Sequence, residues 1–362
     1  MLSIFLTGAA GFLGGKLLRN LLSETKHHLY ILVRDIDKAK RLIDTFPPNE
    51  KNRIHLLKGD ITQPFCGLTE YEIESLTGKI HIFYHLAALV KFDLDLYEEI
   101  FAVNYDGTYN ALELANSMNT EKFFYVSTAY TVGKMQYGIE ELYSPDCEYH
   151  NPYEESKVKS EHLAFSYANE MDISIFRPSI IVGDSETGEA DSKFTLYGFM
   201  RALDIFKRRV MRNEDSMQKT YYVAGNKEGT SNFVPVNYVA DILSLAVSKA
   251  EANTIYNIIN PEPASNFEIM SMIKKALQFD QLFITQSQEL HELSDDELKL
   301  NEMIQVFNPY LKSNIVFEDA NTQKLIKDSK INHLQLESNT LQMIIDAYFG
   351  IQQEEIENVP QS

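Results

Sequence analysis

Cysteine is nearly absent from this chain of 362 residues: Cys66 and Cys147 are the only two, in no CxxC or Cys/His spacing, which excludes a disulfide framework and a zinc site. Positive charge is also short. Lys and Arg number 33 against 52 Asp and Glu, a formal charge of −19. Nucleic acid binds by exchanging counterions for clustered Lys and Arg, and no dense basic face is visible, so no nucleic-acid partner is expected. None of the 9 histidines forms HExxH or pairs with cysteine at ligand spacing, and no metal is expected. No apolar stretch reaches the roughly 18 residues that would cross a bilayer. Met1–Phe5 lacks a basic leader pattern and runs straight into a glycine turn, so it reads as a first strand. These absences lead to the expectation of a cytoplasmic chain in a reducing compartment, without a membrane span.

What is present points to an α/β protein. Apolar residues make up 44% and charged residues 23%, ordinary for a globular chain, and the length suits about two domains. Six strand candidates alternate with helical patterns over the first 180 residues: Leu2–Thr7, Leu29–Val33, Ile54–Lys58, Ile80–Leu86, Lys122–Ser127 and Ile173–Arg177. Several are apolar throughout, as strands buried on both faces are. Between them, Phe12–Ser23 puts Leu13, Leu17, Leu18, Leu21 and Leu22 on one stripe, while Tyr97–Met118 and Tyr153–Glu170 are long enough for crossover helices. The pattern predicts a doubly wound parallel sheet over residues 1–180. Residues 181–352 read as a smaller, mostly helical cap on that sheet, with weaker strands at Tyr221–Val223, Asn232–Pro235 and Thr254–Ile259. A segment near 221–260 is expected to return to the first domain, and 353–362 to form a polar tail.

The first strand ends in Thr7-Gly8-Ala9-Ala10-Gly11-Phe12-Leu13-Gly14, a G-x-x-G-x-x-G turn between a strand and an amphipathic helix. Gly8 permits the tight turn, Gly11 admits a pyrophosphate to the backbone, Gly14 lets helix and strand pack closely, and the helix start offers unpaired N–H groups. The second strand ends at Arg34, where an acidic side chain would select the 2′-hydroxyl of NADH. Four basic residues (Arg34, Lys38, Lys40, Arg41) against two acidic ones (Asp35, Asp37) favour the 2′-phosphate of NADPH, with Asp35 keeping NADH as the weaker alternative. Asp60, in Gly59-Asp60-Ile61 after the third strand, reads either as an acceptor for an adenine amino group or as a turn-stabilising carboxylate.

Tyr153 and Lys157 stand four residues apart at the start of a helix and so share a face. A nearby ammonium is expected to lower the phenol's pKa, letting the tyrosine exchange a proton near neutral pH. The fifth strand runs out through Ser127 and Thr128 at the carboxyl edge of the sheet, where α/β ligands bind. With Thr128, Tyr153 and Lys157 in place, the chain resembles an extended short-chain dehydrogenase/reductase, a Rossmann fold in which a Ser or Thr, a Tyr and a Lys form the catalytic set. Ser127 is the alternative hydroxyl.

Further stretches resemble one branch, the thioester reductase and fatty acyl-CoA reductase group: His85–Val90, Asn104 with Gly107-Thr108, Ser127–Tyr130, Arg177–Ser185 with Thr187-Gly188, and Val234–Val236. The resemblance spans about residues 1–260. It implies cofactor contacts at Gly8, Ala10, Gly11, Phe12, Leu13, Gly14, Arg34, Asp60, Ile61, Ala87, Ala88, Tyr153, Lys157 and Pro178. It also implies a substrate-binding cap and an acyl thioester substrate, carried on coenzyme A or a carrier protein. Hydride attack would give an aldehyde, with Thr128 and Tyr153 stabilising the oxyanion and Tyr153 supplying the proton; further reduction to an alcohol is left open. Three alternatives remain at this point: a ketone or hydroxyl dehydrogenase of the steroid or flavonoid type, a nucleotide-sugar epimerase, and a non-catalytic NADP-binding redox sensor.

Two features of the second half stay open. Lys207, Arg208, Arg209 and Arg212, with Arg201 nearby, read either as a patch for coenzyme A phosphates or an acidic carrier, or as a solvated helix end. Phe194, Tyr197, Phe199 and Phe206 fit an acyl tunnel or an ordinary core. His85, at the end of a buried strand, is expected to be structural.

Overall fold

The computed structural model describes residues 1–190, 195–212, 219–285 and 293–351. Phe194 and the 353–362 tail lie outside the described residues. The chain divides into two compact units. The first takes Met1–Ile181, Asn232–Pro261 and Ile315–Leu334; the second takes Val182–Ser231, Glu262–Asn314 and the remainder.

The first unit is built on seven parallel strands, β1 (Ser3–Thr7), β2 (His28–Val33), β3 (Ile54–Lys58), β4 (Ile82–His85), β5 (Lys122–Val126), β6 (Asp172–Pro178) and β7 (Thr254–Ile258). Their order is β7-β6-β5-β4-β1-β2-β3. The order reverses between β1 and β4, so loops leaving these two strands diverge and open a crevice at their carboxyl ends. Side chains alternate across the sheet. Phe5, Phe83 and Phe123 stack in register, with centroids 4.6 and 5.2 Å apart. They share a core with Ala111, Leu112 and Ala115 of the helix Gly107–Ser117. The other face carries Tyr84, Phe124 and Phe176 edge to face. Here α1 (Phe12–Glu24) buries Leu17, Leu18, Leu21 and Leu22, and Leu13 is half-buried. The helix Val236–Lys249 lies beside α1, joined by Asn20 Nδ2 donating to Asp241 at 2.6 Å.

Three departures from the sequence pattern have physical causes. Thr254–Ile258 completes the sheet as its edge strand, whereas Tyr221–Ala224 pairs with Leu282–Thr285 in the second unit. Ile315–Leu334 belongs to the first unit because it covers the open edge of β7. Asn321 Nδ2 and Thr322 Oγ1 donate to the Ile255 and Asn257 carbonyls, and the Asn257 N–H donates to Glu140, which also accepts from Asn321 N. The long helix expected over Tyr97–Met118 is interrupted by a π-helical turn at Ala102–Asp106.

The second unit, taken by itself, holds the helices Leu196–Val210, Asn266–Leu277, Asp295–Met303 and Ser338–Tyr348 and the parallel strand pair just described. Tyr197, Phe199 and Phe206 are buried within it. Three of the basic side chains have partners: Lys207 Nζ donates to the Leu277 carbonyl, Arg208 pairs with Asp204 at 2.6 Å, and Arg209 lies 3.7 Å from Asp296. No helix among the described residues is long and apolar enough to cross a membrane.

Arg177, the largest fully buried side chain, meets Glu161 with two hydrogen bonds, at 2.8 and 2.6 Å, and neither residue is exposed. Its remaining donors hold the Ile139 and Glu141 carbonyls at 2.9 Å. Glu161 sits on the helix Pro152–Phe165, so this pair ties that helix to β6 and the 139–141 loop. Arg177→Leu leaves the Glu161 carboxylate buried without its cation. Chemical denaturation is expected to show a loss of about 3–5 kcal/mol; an unchanged midpoint would mean the pair does not hold the helix.

Candidate active site

Thr7 and His85 end β1 and β4 as register partners, and their side chains meet at 2.8 Å through Thr7 Oγ1 and His85 Nδ1. Thr7 Oγ1 also accepts from Ala87 N at 3.2 Å, fastening the turn after β4 to β1. Between these turns opens a cleft of about 490 Å³. One wall is the glycine turn. Gly8 has φ +74°, and Gly11 N closes the turn onto Gly8 O at 2.9 Å. A Cβ on Gly14 would stand 2.2 Å from Gly8 O, so only glycine lets α1 start this close to β1. Gly11 caps α1 without any side-chain bond to its first N–H groups, which remain available to an anion. Gly8, Ala10 and Gly11 line the cleft; Phe12, Leu13 and Gly14 form the first turn of α1 behind it.

The far wall carries Arg34, Asp35 and Lys38. Asp35 caps α2 (Ile36–Asp44), accepting from Lys38 N at 2.9 Å, and that bond holds its carboxyl below the ordinary range. Arg34 is exposed; Lys40 and Arg41 do not line the cleft. Asp60 and Ile61 line it too, and one Asp60 oxygen accepts from Thr62 N and Thr62 Oγ1, the turn-stabilising arrangement. Ala87 and Ala88 complete the opening. Glycines without Cβ, uncapped N–H groups and a cation-bearing rim fit a dinucleotide phosphate chain.

Leu89 carries the cleft towards the segment that meets Tyr153. Its N–H and C=O are both held by the Asn104 side chain, at 2.7 and 3.1 Å, and Asn104 Nδ2 also donates to Ser156 Oγ at 3.0 Å. Asn104 lies in the π-helical turn, where one extra residue swings its amide onto this loop. Phe92 meets the Tyr153 ring edge-on at 5.8 Å. Tyr153 and Lys157 share a face of the helix Pro152–Phe165, capped by Asn151. Of the two candidate hydroxyls it is Thr128 that stands near enough to the Tyr153 phenol to pull its pKa down, while Ser127 Oγ is buried with no partner. Thr128 Oγ1 also reaches the Pro178 carbonyl, at 3.4 Å.

The electrostatics differ from the sequence expectation. Lys157 does not lower Tyr153; burial raises the phenol well above its ordinary value, the Glu154 carboxylate adds to this, and only the Thr128 hydroxyl opposes it. The amine instead lies against β5, donating to the Val126 carbonyl at 2.8 Å and the Tyr125 hydroxyl at 3.2 Å. Burial brings Lys157 down to about 7, against the pull of Glu161. His85 is driven to about 3 by burial first and Lys157 second, so it stays neutral, and its Nε2 has no partner. Thr7 and Asn104 stand in stretches that the sequence marks, and Tyr125 in the fifth strand, but none of the three is a candidate site residue there, since no local pattern gives their partners. Among the described residues, no three His, Cys, Asp or Glu side chains are grouped to hold a metal ion.

Comparison with known proteins agrees with this architecture. Residues 6–243 match the male sterility protein family model. The chain is 24% identical over 372 residues to a linear gramicidin synthase of Brevibacillus parabrevis, covering 95% of this chain and 7% of that protein. It is 26% identical over 306 residues to the fatty acyl-CoA reductase wat of Drosophila melanogaster, covering 71% of this chain and 57% of the relative. It thus spans less than two thirds of either. The terminal R domain from the myxalamid PKS-NRPS biosynthetic pathway superposes with a TM-score of 0.77 at 23% identity, covering 97% of this chain and 90% of that domain. The chain belongs to the male sterility protein family, and is an NAD(P)-binding oxidoreductase of the extended short-chain dehydrogenase/reductase type.

Gly14→Ala forces α1 off β1, and calorimetric titration with NADPH is expected to show binding weakened at least about tenfold, the cost of displacing the backbone that cradles a pyrophosphate. Gly15→Ala, whose Cβ would meet only Ala9 O at 3.8 Å, serves as the control. Equal affinity in the two variants would remove the glycine turn from the cofactor site.

Proposed function

We propose that this chain reduces an acyl thioester, on coenzyme A or a carrier protein, to an aldehyde with NADPH. The observation that carries the reading is the Thr128–Tyr153 hydroxyl pair beside Lys157, joined through the Leu89–Phe92 segment to a dinucleotide-shaped cleft. The substrate class is supported by the names of the relatives, a fatty acyl-CoA reductase and a terminal R domain. NADPH over NADH is supported by Arg34 and Lys38 on the rim, with the Asp35 carboxylate occupied in capping α2.

In this reading the reduced nicotinamide, when bound, supplies the hydride to the carbonyl carbon. Thr128 and Tyr153 donate hydrogen bonds to the carbonyl oxygen as it gains negative charge. Tyr153 passes its proton to that oxygen, and its raised pKa keeps the phenol protonated until then. Collapse of the hemithioacetal breaks the C–S bond and releases thiol and aldehyde. Lys157 restores the proton to Tyr153. Val126 and Tyr125 hold the amine at the base of the site.

Incubation with NADPH or NADH and a panel of acyl-CoAs, an acyl carrier protein, a ketone and a nucleotide sugar tests the reading by nicotinamide absorbance and thiol release. Thiol release matched to NADPH consumption is expected only with thioesters; turnover of the ketone alone would replace the reading by a dehydrogenase. Tyr153→Phe is expected to lower kcat by about 10²- to 10⁴-fold, and full activity would remove Tyr153 as the acid. Arg34→Ala is expected to raise KM for NADPH by about tenfold, with little change for NADH, since it removes one charge-assisted contact to a 2′-phosphate. Equal effects on both cofactors would exclude that contact.

A further inference from the structure

Lys157 is 2% exposed. Besides the Val126 carbonyl, its neighbour is Tyr125, whose hydroxyl lies 3.2 Å from Nζ and whose ring centroid lies 4.6 Å away. Tyr125 is itself fully buried, and the hydroxyls of Ser160 and Thr108 lie near enough to its own to pull its pKa down against the burial that raises it. Those hydroxyls donate to the Asn104 carbonyl at 3.1 and 2.6 Å. Ser160, Thr108 and Asn104 are all buried, and the Asn104 side chain carries the chain of bonds on to the Leu89 backbone at the cleft.

The hydrogen-bond capacities of the two groups explain this arrangement. An ammonium has three donors and no acceptor, whereas a neutral amine has two N–H groups and a lone pair. The Val126 carbonyl accepts from either form. A second partner that stays bonded in both forms must accept from the ammonium and donate to the amine, and a phenol does both. We propose that Tyr125 is a positioning residue that holds the Lys157 amine at one point in both of its protonation states, its hydrogen turning to Ser160 or Thr108 when the lysine is charged and to Nζ when it is neutral. The proton is gained and lost at Nζ, and Tyr125 keeps its own throughout. The inference rests on the reading of Lys157 as part of the proton-transfer set.

Both states are populated near neutrality, because burial brings the amine to about 7. The charged and titratable groups facing this cluster are Glu161, held by Arg177, on the same helix; neutral His85 from β4; and the phenols of Tyr125 and Tyr153. A phenylalanine at 125 keeps the ring under the amine and removes the oxygen. The ammonium then loses a charge-assisted bond that has no replacement, which favours the neutral form.

The Lys157 13Cε resonance, followed against pH in the full chain, and the pH profile of kcat test this together. In the unaltered protein the resonance is expected to titrate near neutrality. In Tyr125→Phe its midpoint and the alkaline limb of kcat are both expected to fall by about one pH unit, a roughly tenfold loss of rate on the alkaline side with little change on the acid side. A purely structural loss would lower kcat evenly across pH. An ordinary lysine midpoint in the unaltered protein overturns the proposal whether or not the variant folds, and so does an unmoved midpoint in Tyr125→Phe. The resonance needs no substrate: a moved midpoint without thioester turnover would retain Tyr125 as the partner of Lys157 while removing the proposed reaction.

Discussion

β1 lies between β2 and β4, and the chain leaves β1 and β4 in opposite directions. The crevice between the two exits follows from strand order and not from any one side chain. What the side chains add is a fixed spacing. Thr7 Oγ1 bonds both the His85 ring and Ala87 N, and Gly8 has no Cβ to hold Ala87 away, since one would lie 2.7 Å from the Ala87 nitrogen. The glycine turn, the alanine turn and the start of α1 are thereby locked at one separation. The cleft, the rim residues that follow β2 and the loop reaching Phe92 are all measured from this joint.

Around it the protein manages buried charge in three ways. Arg177 and Glu161 neutralise each other with paired hydrogen bonds, and the remaining guanidinium donors are taken by carbonyls. His85 gives up its charge altogether, because both burial and the nearby lysine oppose a second cation. Lys157 is held between these extremes: too buried to remain an ordinary ammonium, yet supplied with a carbonyl, a phenol and the distant Glu161 carboxylate. A lysine so placed can change state at neutral pH, which an exposed lysine does not do. The same burial raises Tyr153, so the two groups are shifted in opposite directions by one cause, the phenol upward and the amine downward.

In the second unit two features that the sequence left open acquire neighbours. The aromatic residues at 197, 199 and 206 are buried, and three of the clustered cations meet a helix-end carbonyl and two aspartates. An amphipathic stripe and a run of charges are the same pattern whether they serve a ligand or the fold, and their neighbours come from elsewhere in the unit. Lys207 meets Leu277, which lies 70 residues away.

The sequence by itself determined whatever a short stretch of backbone must impose. The glycines at 8, 11 and 14 are demanded by the turn they make, the strands of the first 180 residues by their apolar continuity, and the common face of Tyr153 and Lys157 by the pitch of a helix. Tertiary structure decided every matter of who stands next to whom. That Thr254–Ile258 completes the sheet, that Ile315–Leu334 covers its edge, that Thr128 and not Ser127 meets Tyr153, and that Lys157 turns to Tyr125 are all outcomes of packing. Periodicity names the face on which a side chain lies, but hydrogen-bond partners and desolvation come from residues brought in by the fold. No local pattern carries that information.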